Sequence, residues 1–225
     1  MEDGKKMNED SILYEDNHII VAIKPYNVLS QGDSTKDLSM VDYVKEYLKE
    51  KYHKPGNVYL GLVHRLDRPV SGIMVFAKTS KAAERLSKSF QTHDVVKKYL
   101  AVVHGKMEQE KDTWEDSILR LENGNSVLSK EGKPCSLSYE VLEYDEEENC
   151  SLVSIALHTG RHHQIRVQFA SRGHYLLGDQ RYGVEDHIQI HLFSYYLSFV
   201  HPTTKERLEF QAFPQKKDYW TRFTV

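Results

Sequence analysis

The sequence predicts an α+β domain in which short strands outnumber helices. Short apolar or alternating segments, bounded by Gly, Pro, Asn and Asp, recur along the whole 225-residue chain. Only a few stretches repeat apolar residues every three or four positions, as a helix with one buried face requires. The order of these segments is not a regular alternation of strand and helix. That order argues against a doubly wound parallel sheet and favours the α+β class.

The individual elements follow from local patterns. Strands are predicted at residues 19–23, 61–67, 72–78, 137–144, 152–158, 188–200 and 208–213. Helices are predicted at residues 40–52 and 80–93, and a third is opened by Thr159-Gly160 and closed by Gly173. Because only an acidic turn separates them, the strands at 137–144 and 152–158 predict a hairpin. Residues 1–11 are polar and are predicted to be a disordered tail, which leaves residues 12–225 as a single domain.

The composition is that of a soluble globular protein. The chain is 40% hydrophobic and 28% charged, and its length is sufficient for a substantial core. No apolar run is long enough to span a bilayer, and the polar N-terminus is unlike a secretory signal. The two cysteines, Cys135 and Cys150, lack the spacing of metal ligands. These features predict a reduced, cytoplasmic protein that does not associate with membranes.

The net charge of −3 hides a strong asymmetry. Residues 51–106 contain eleven Lys and Arg against three acids, whereas residues 108–150 contain thirteen acids against four bases. Within the basic region, Lys81, Arg85 and Lys88 recur at helical spacing on the polar side of the predicted second helix. This basic stripe is either a solvated face or a contact surface for nucleic acid.

The segment HRLDRPVSG at residues 64–72 places one acid between two arginines in a predicted loop. Pro69 disfavours helix, and Gly72 permits backbone angles closed to other residues. The apolar residues 73–77 that follow predict a buried strand. Asp67 would therefore sit on a constrained turn that enters a rigid element, as a reactive group requires. A purely structural aspartate paired with a flanking arginine fits the same segment.

A second polar cluster combines HTGRHHQIR at residues 158–166 with LGDQRYG at residues 177–183. In the predicted third helix, one face would carry His162, Ile165, Arg166, Phe169 and Ala170. An unpaired guanidinium among apolar neighbours is costly, so Arg166 needs an anion. That anion could be a carboxylate, a phosphate or both, and a buried ion pair without chemistry is also compatible.

Together these motifs resemble the RluA-type pseudouridine synthase family. The matching segments are Lys24-Pro25, His64 to Asp67 with Ser71-Gly72, Lys98-Tyr99, Thr159 to Arg166, and Gly178 to Gly183. The resemblance extends from about Leu13 to Pro214. The chain departs from the usual pattern at Tyr26-Asn27, Val70, Gln168 and Tyr175, which affects substrate contacts and not the groups that the reaction requires.

The resemblance implies a mixed, mainly antiparallel central sheet with flanking helices and a central RNA-binding cleft. It implies isomerisation of uridine to pseudouridine in structured ribosomal or transfer RNA, with the target base flipped out of its stack. The reaction oxidises nothing and transfers no group from outside, so we expect neither cofactor nor metal. The chain before Lys24 is too short for the N-terminal RNA-binding module of some relatives. We expect a monomeric catalytic domain whose partner is RNA.

The resemblance also implies residue roles. Asp67 is expected to be the catalytic carboxylate, either attacking the glycosidic carbon or assisting removal of an adjacent proton. Arg166 is expected to orient that carboxylate, Tyr99 to lie against the target base, and Ile165 to form an apolar wall beside it. Residues expected to contact RNA are His64, Arg65, Arg68, Lys81, Arg85, Lys88, Arg161, His163, Arg172 and Arg181.

Two other functions deserve consideration. A metal-dependent hydrolase could use His158, His162, His163 and His174, but Gly160 argues against one helix presenting them. No carboxylate lies at a familiar ligand spacing either. The second alternative is an RNA-binding protein without catalysis. The presence of all three expected active-site residues, the aspartate, the tyrosine and the arginine, argues against it.

Overall fold

The computed structural model describes residues 9–185 and 187–224, which form two compact units. The first contains the chain up to Val95 together with Leu197–Gln211, and the second contains Val96–Tyr196 and the residues from Ala212 onward. Residues 1–8 of the predicted tail lie outside the described residues, and Glu9–Ser11 form a 3-10 helix. The boundary at residue 12 and the single domain of residues 12–225 stay a prediction.

The first unit is built around two buried strands. Its elements up to Val95 are β1 (Ile12–Glu15), β2 (Ile19–Lys24), α1 (Met40–Lys51), β3 (Gly61–Leu62), β4 (Ser71–Ala77) and α2 (Ser80–Gln91). The strands pair antiparallel in the order β1-β2-β4, and β3 also pairs with β4. All of β4 and nearly all of β2 are buried, which explains why their sequences are continuous apolar runs rather than alternating ones.

Both helices of the first unit begin at side-chain caps. Ser39 and Asp42 form a reciprocal capping box at α1, and Thr79 accepts the Ala82 N–H at the start of α2. Each helix buries one apolar stripe, which in α2 includes Leu86. The predicted helices are thus confirmed, each ending one or two residues earlier than expected.

The second unit is an antiparallel sheet with one short helix. Its elements in chain order are β5 (Val95–His104), β6 (Lys111–Arg120), β7 (Ser126–Leu128), β8 (Lys133–Asp145), β9 (Cys150–Leu157), α3 (Gln164–Ala170) and the first part of β10 (Leu192–Val200), whose residues from Leu197 onward belong to the first unit. The strand order is β5-β9-β8-β6-β7. The pairing of β8 with β9 confirms the predicted hairpin. The strand β11 (Arg207–Gln211), which belongs to the first unit, pairs with β10, and Asp218–Arg222 of the second unit form a 3-10 helix.

The third helix is shorter than predicted at its start. His163 has a left-handed backbone with φ of 55°, which is incompatible with an α-helix, so α3 begins only at Gln164. The Gln164 amide oxygen accepts hydrogen bonds from the Thr159 hydroxyl and the Arg161 N–H, which makes the preceding residues a separate turn. The predicted closure is confirmed, because Gly173 has φ of 80° just beyond the helix.

The strand prediction is wrong in several places. The strand predicted at residues 61–67 contains only Gly61–Leu62, because Leu66 bonds to the Ser30 side chain instead of a neighbouring strand. The strand predicted at 188–200 begins at Leu192, since the preceding residues pack in an irregular connection. Strands β1, β6 and β7 were not predicted, because β1 has only four residues and polar residues interrupt the apolar pattern of the other two.

The α+β class and the mainly antiparallel pairing are nevertheless confirmed. Within the described residues, no helix combines the length and the apolar character needed to cross a membrane.

Candidate active site

Asp67 lies in the loop between β3 and β4 and is half-buried. The Val70 N–H donates to the Asp67 carbonyl oxygen at 3.0 Å, which closes a turn over Arg68 and Pro69. Gly72 has φ of 130°, a conformation that disfavours any residue with a side chain. The predicted constrained turn before a buried strand is therefore confirmed.

A buried lysine holds this loop in place through hydrogen bonds to backbone carbonyls. The side chain of Lys24 is fully buried, and its ammonium donates to the carbonyl oxygens of Pro25 and Arg68, each at 3.0 Å, and of Val28. Since a buried ammonium requires acceptors, these bonds tie the loop to the end of β2. The Ser71 hydroxyl donates to the Lys24 carbonyl at 2.7 Å and adds a second link.

A buried serine holds the other side of the loop. The Ser30 hydroxyl donates to the Leu66 carbonyl at 2.6 Å and accepts the Leu66 N–H at 3.0 Å. One side chain thus satisfies both backbone groups of the residue that precedes Asp67.

Ser30→Ala is expected to loosen this loop. The change leaves two buried backbone groups unpaired, which should lower the free energy of unfolding by about 1–3 kcal/mol. It should also lower turnover, because Asp67 loses its fixed position. Urea unfolding and pseudouridine formation measure the two effects. Ser87→Ala, in the middle of α2, is the control. Equal stability of Ser30→Ala and wild type would contradict this role of the Ser30 hydrogen bonds.

His64 braces the loop against the strand and helix that follow it. The Val75 N–H donates to the His64 Nε2 at 3.0 Å, so that nitrogen must be unprotonated. The imidazole stacks on the Phe90 ring with a centroid distance of 4.6 Å. Of the two expected roles, bracing is observed, and the RNA contact stays a prediction.

A groove of about 440 Å³ lies beside the Asp67 loop. Exposed Arg65 lines it together with Gln31, Val41, Lys45, Leu60, Leu62, Val63 and His64. Arg68 is also exposed and pairs with Asp37 at 2.7 Å. Both arginines can therefore meet an anionic ligand from solvent.

The basic stripe on α2 is only partly free for such a ligand. Lys81 and Lys88 are exposed, whereas Arg85 donates from Nη1 to the Pro202 carbonyl at 2.7 Å. Arg85 therefore contributes to packing within the first unit. Its predicted RNA contact stays untested.

Tyr99 belongs to the second unit, on β5, and its side chain is buried. It pairs in register with Ile155, which pairs in turn with Tyr139, so the three side chains share one face of the sheet. Phe169 of α3 packs on that face, with its ring 5.8 Å from the Tyr139 ring. Ile165, the expected apolar wall, is buried on the same helix.

Arg166 forms a buried, two-pronged ion pair with Asp179. Its Nε donates to Oδ2 at 2.8 Å and its Nη2 donates to Oδ1 at 2.7 Å. The N–H groups of Arg181 and Tyr182 also donate to Oδ1, which completes the carboxylate's coordination. The expected pairing of Arg166 with Asp67 involves the other unit and stays a prediction. The role of Asp179 was missed, although the motif at residues 178–183 contains it.

Tyr182 supports this ion pair from one side. The Arg166 guanidinium lies 5.2 Å from the centre of the Tyr182 ring. The Tyr182 hydroxyl accepts the Ser126 N–H at 2.8 Å and bonds to His163 Nδ1 at 2.7 Å. Burial raises the pKa of Tyr182, which keeps this hydroxyl protonated. His163, expected to contact RNA, thus also belongs to the network that positions Arg166.

The remaining basic residues of the second unit differ in exposure. Arg172 pairs with Asp116 at 3.0 Å and lies over the Trp114 ring, so its guanidinium contributes to packing, and its RNA contact stays a prediction. Arg161 donates from Nε to the Pro134 carbonyl, and exposed Arg181 donates to Gly124 and Asn125. The guanidinium groups of Arg161 and Arg181 remain candidates for phosphate contacts.

The four histidines considered as metal ligands have separate partners. His158 bonds to Ser138, His162 to Ser126, His163 to Tyr182, and His174 to the His104 carbonyl. Across the described ranges, no group of three or more His, Cys, Asp or Glu side chains is arranged to hold a metal ion. The observed partners favour structural roles for these imidazoles.

The chain is similar in sequence to known RNA pseudouridine synthases. The family model described as RNA pseudouridylate synthase matches residues 18–171. Ribosomal large subunit pseudouridine synthase C of Buchnera aphidicola subsp. Schizaphis graminum is 31% identical over 224 residues, covering 92% of this chain and 68% of that protein. An uncharacterized RNA pseudouridine synthase of Aquifex aeolicus is 33% identical over 215 residues, covering 89% and 68%.

Solved structures show the same fold. Human RNA pseudouridylate synthase domain containing 4 superposes with a TM-score of 0.78 at 23% identity, covering 94% of this chain and 90% of that one. Human RNA pseudouridylate synthase domain containing 1 gives a TM-score of 0.77 at 26% identity, covering 96% and 87%. The motifs, the fold and the match over most of the chain lead to one conclusion: the chain belongs to the RluA-type RNA pseudouridine synthases.

Proposed function

We propose that this enzyme isomerises a specific uridine in large-subunit ribosomal RNA, with the Asp67 carboxylate acting at the glycosidic carbon. The observation that carries the proposal is the clamped loop. Lys24 bonds to the Arg68 carbonyl, and Ser30 bonds to both backbone groups of Leu66, so the backbone is fixed on either side of a half-buried aspartate. The names of the ribosomal relatives support the choice of RNA.

The reaction breaks two bonds and forms two. The bond between C1′ of the ribose and N1 of uracil is cleaved, the base rotates, and C1′ joins C5. The proton on C5 leaves and N1 gains one, so the product is an isomer of the substrate. No redox step occurs.

The chemistry requires a carboxylate at C1′. Aspartate is ionised at neutral pH, and it can either attack C1′ or stabilise an oxocarbenium-like state while a neighbouring proton is removed. Either route needs the carboxylate held at a fixed distance from the sugar. The hydrogen bonds around residues 66–70 supply that rigidity.

Tyr99 is proposed to lie against the flipped base and to assist removal of the C5 proton. Tyr99→Phe keeps the ring for stacking but removes the hydroxyl. We therefore expect RNA binding to persist and release of the C5 proton to slow. Tritium release from RNA containing 5-tritiated uridine measures this step. Wild-type release rates would restrict Tyr99 to stacking.

The target base must leave its stack before it can reach the carboxylate, which costs a few kcal/mol. Exposed cations on both units, among them Arg65, Lys81, Lys88 and Arg181, are proposed to bind the flanking phosphates. RNA affinity should therefore fall as salt concentration rises.

The proposal is tested by mapping pseudouridines in total RNA from cells with and without the protein. We expect one or a few sites in large-subunit ribosomal RNA to disappear without it and to return when purified protein is added. Loss of sites in transfer RNA alone would contradict the choice of ribosomal RNA and indicate a transfer RNA substrate. Unchanged pseudouridine in all RNA would overturn the proposed activity.

A further inference from the structure

Lys97 is a half-buried lysine that the sequence motifs did not single out. It stands two residues before Tyr99 on β5, so the two side chains project from the same face of the sheet, roughly 6.6 Å apart along the strand. A methyl group added at Gly160 would lie 3.6 Å from the Lys97 Nζ. The ammonium therefore points toward the turn that precedes α3.

The surroundings of this ammonium leave its charge uncompensated. Within residues 9–185 and 187–224, the Lys97 side chain makes no hydrogen bond or ion pair. Burial lowers the pKa of Lys97, which shows that the charged form loses hydration at this position. A partly buried ammonium without an anionic partner destabilises the free protein, and a bound ligand that carries a negative charge would remove this cost.

The neighbouring lysine has a different setting. Lys98 lies on the opposite face of β5, with its Nζ 5.4 Å from the centre of the Tyr196 ring. A cation–π contact already accommodates that charge. Lys98 is therefore a matched control in the same strand.

We propose that Lys97 binds a phosphodiester group of the RNA next to the isomerised uridine. The inference rests on the proposed function, which places the target base against Tyr99. A phosphate within one nucleotide of that base is then within reach of a lysine two residues away on the same face. Gly160 leaves the approach to the ammonium open, because any side chain there would contact Nζ.

The test combines protein variants with a synthetic RNA stem-loop that carries the mapped uridine. Lys97→Met and Lys98→Met are compared with wild type in RNA affinity, with neutral methylphosphonate placed at one linkage at a time. We expect Lys97→Met to weaken binding roughly tenfold or more, and the slope of log affinity against log salt to change by about 0.7. Lys98→Met should have a much smaller effect.

The modified linkages identify the contact. One methylphosphonate beside the uridine should weaken wild-type binding as much as Lys97→Met does, and should cause no further loss in that variant. Lys97→Arg should restore most of the affinity. Gly160→Ala, which needs no unusual backbone angle, should reproduce part of the loss by crowding the ammonium.

Stability provides an independent measurement. Because Lys97 is charged and poorly hydrated in the folded protein, Lys97→Met should raise the melting temperature at pH 7. A lower melting temperature with unchanged RNA affinity would assign Lys97 to the fold and overturn the proposal. The proposal would also be overturned if Lys97→Met and the methylphosphonate weakened RNA binding independently at every linkage, so that their effects multiplied. Wild-type turnover of the same stem-loop, measured alongside, tests the proposed function separately.

Discussion

Asp67→Asn is expected to abolish pseudouridine formation while RNA binding persists. Asparagine has nearly the same shape but carries no negative charge, so it can neither attack C1′ nor stabilise positive charge on the sugar. The loop should keep its conformation, because Lys24 and Ser30 bond to the backbone of the residues on either side of Asp67. We expect turnover to fall roughly 10⁴-fold or more. Tritium release measures turnover, and filter binding measures affinity for the same RNA.

Two further variants make this result specific. Asp67→Ala should be equally inactive, since both changes remove the carboxylate. Asp37→Asn removes an exposed carboxylate that pairs with Arg68, and should keep activity close to that of wild type. Substantial pseudouridine formation by Asp67→Asn would refute the assignment of the catalytic group.

Asp179→Asn is expected to be the most destabilising conservative change in the second unit. It removes the negative charge that the Arg166 guanidinium contacts through two hydrogen bonds, while both side chains are almost completely excluded from solvent. Breaking a buried ion pair by removing one partner costs about 3–5 kcal/mol. At 2–4 °C per kcal/mol, the melting temperature should fall by roughly 6–20 °C. Thermal unfolding followed by circular dichroism measures this change.

The comparison pair for this experiment is Arg207 with Asp94, which is exposed. Asp94→Asn should leave the melting temperature nearly unchanged, since surface ion pairs contribute little. A melting temperature of Asp179→Asn equal to that of wild type would contradict the role of this ion pair.

Arg166→Lys keeps the charge but loses the two-pronged geometry, so we expect most turnover to be lost.

The sequence alone was sufficient to locate the Asp67 loop. Proline and glycine act through local backbone geometry, and a continuous apolar run such as residues 73–77 indicates a buried strand wherever it occurs. The structure confirms the turn, the positive φ of Gly72 and the buried β4. The two capped helices were predictable for the same reason, because caps and helical periodicity are local signals.

Prediction from sequence was less accurate for elements that depend on hydrogen bonds to distant parts of the chain. Strands β6 and β7 carry many polar residues, and their hydrogen-bond partners lie elsewhere in the chain. The start of α3 was misplaced because Gln164 stabilises a turn through its side chain, and a left-handed histidine precedes it. Neither effect has a distinctive sequence pattern.

Charge alone does not show which cations already have partners within the protein. Arg85 and Arg172 were counted with the RNA-binding cations, yet their guanidinium groups bond to the Pro202 carbonyl and to Asp116. Lys98 was part of the recognised motif, whereas the uncompensated cation is its neighbour Lys97. Which of two adjacent lysines meets a ligand depends on the face of the strand and on what covers that face.

The amino-acid order by itself determined the family, the secondary-structure class and the rigid turn that carries Asp67. These properties depend on residues close together in the chain, whose backbone preferences do not require tertiary contacts. Only the tertiary structure decided that Arg166 binds Asp179, that Ser30 and Lys24 hold the loop, and that the Lys97 side chain has no anionic partner among the described residues. Those outcomes depend on which distant groups are buried together, because burial decides which charges and hydrogen bonds must be satisfied inside the protein.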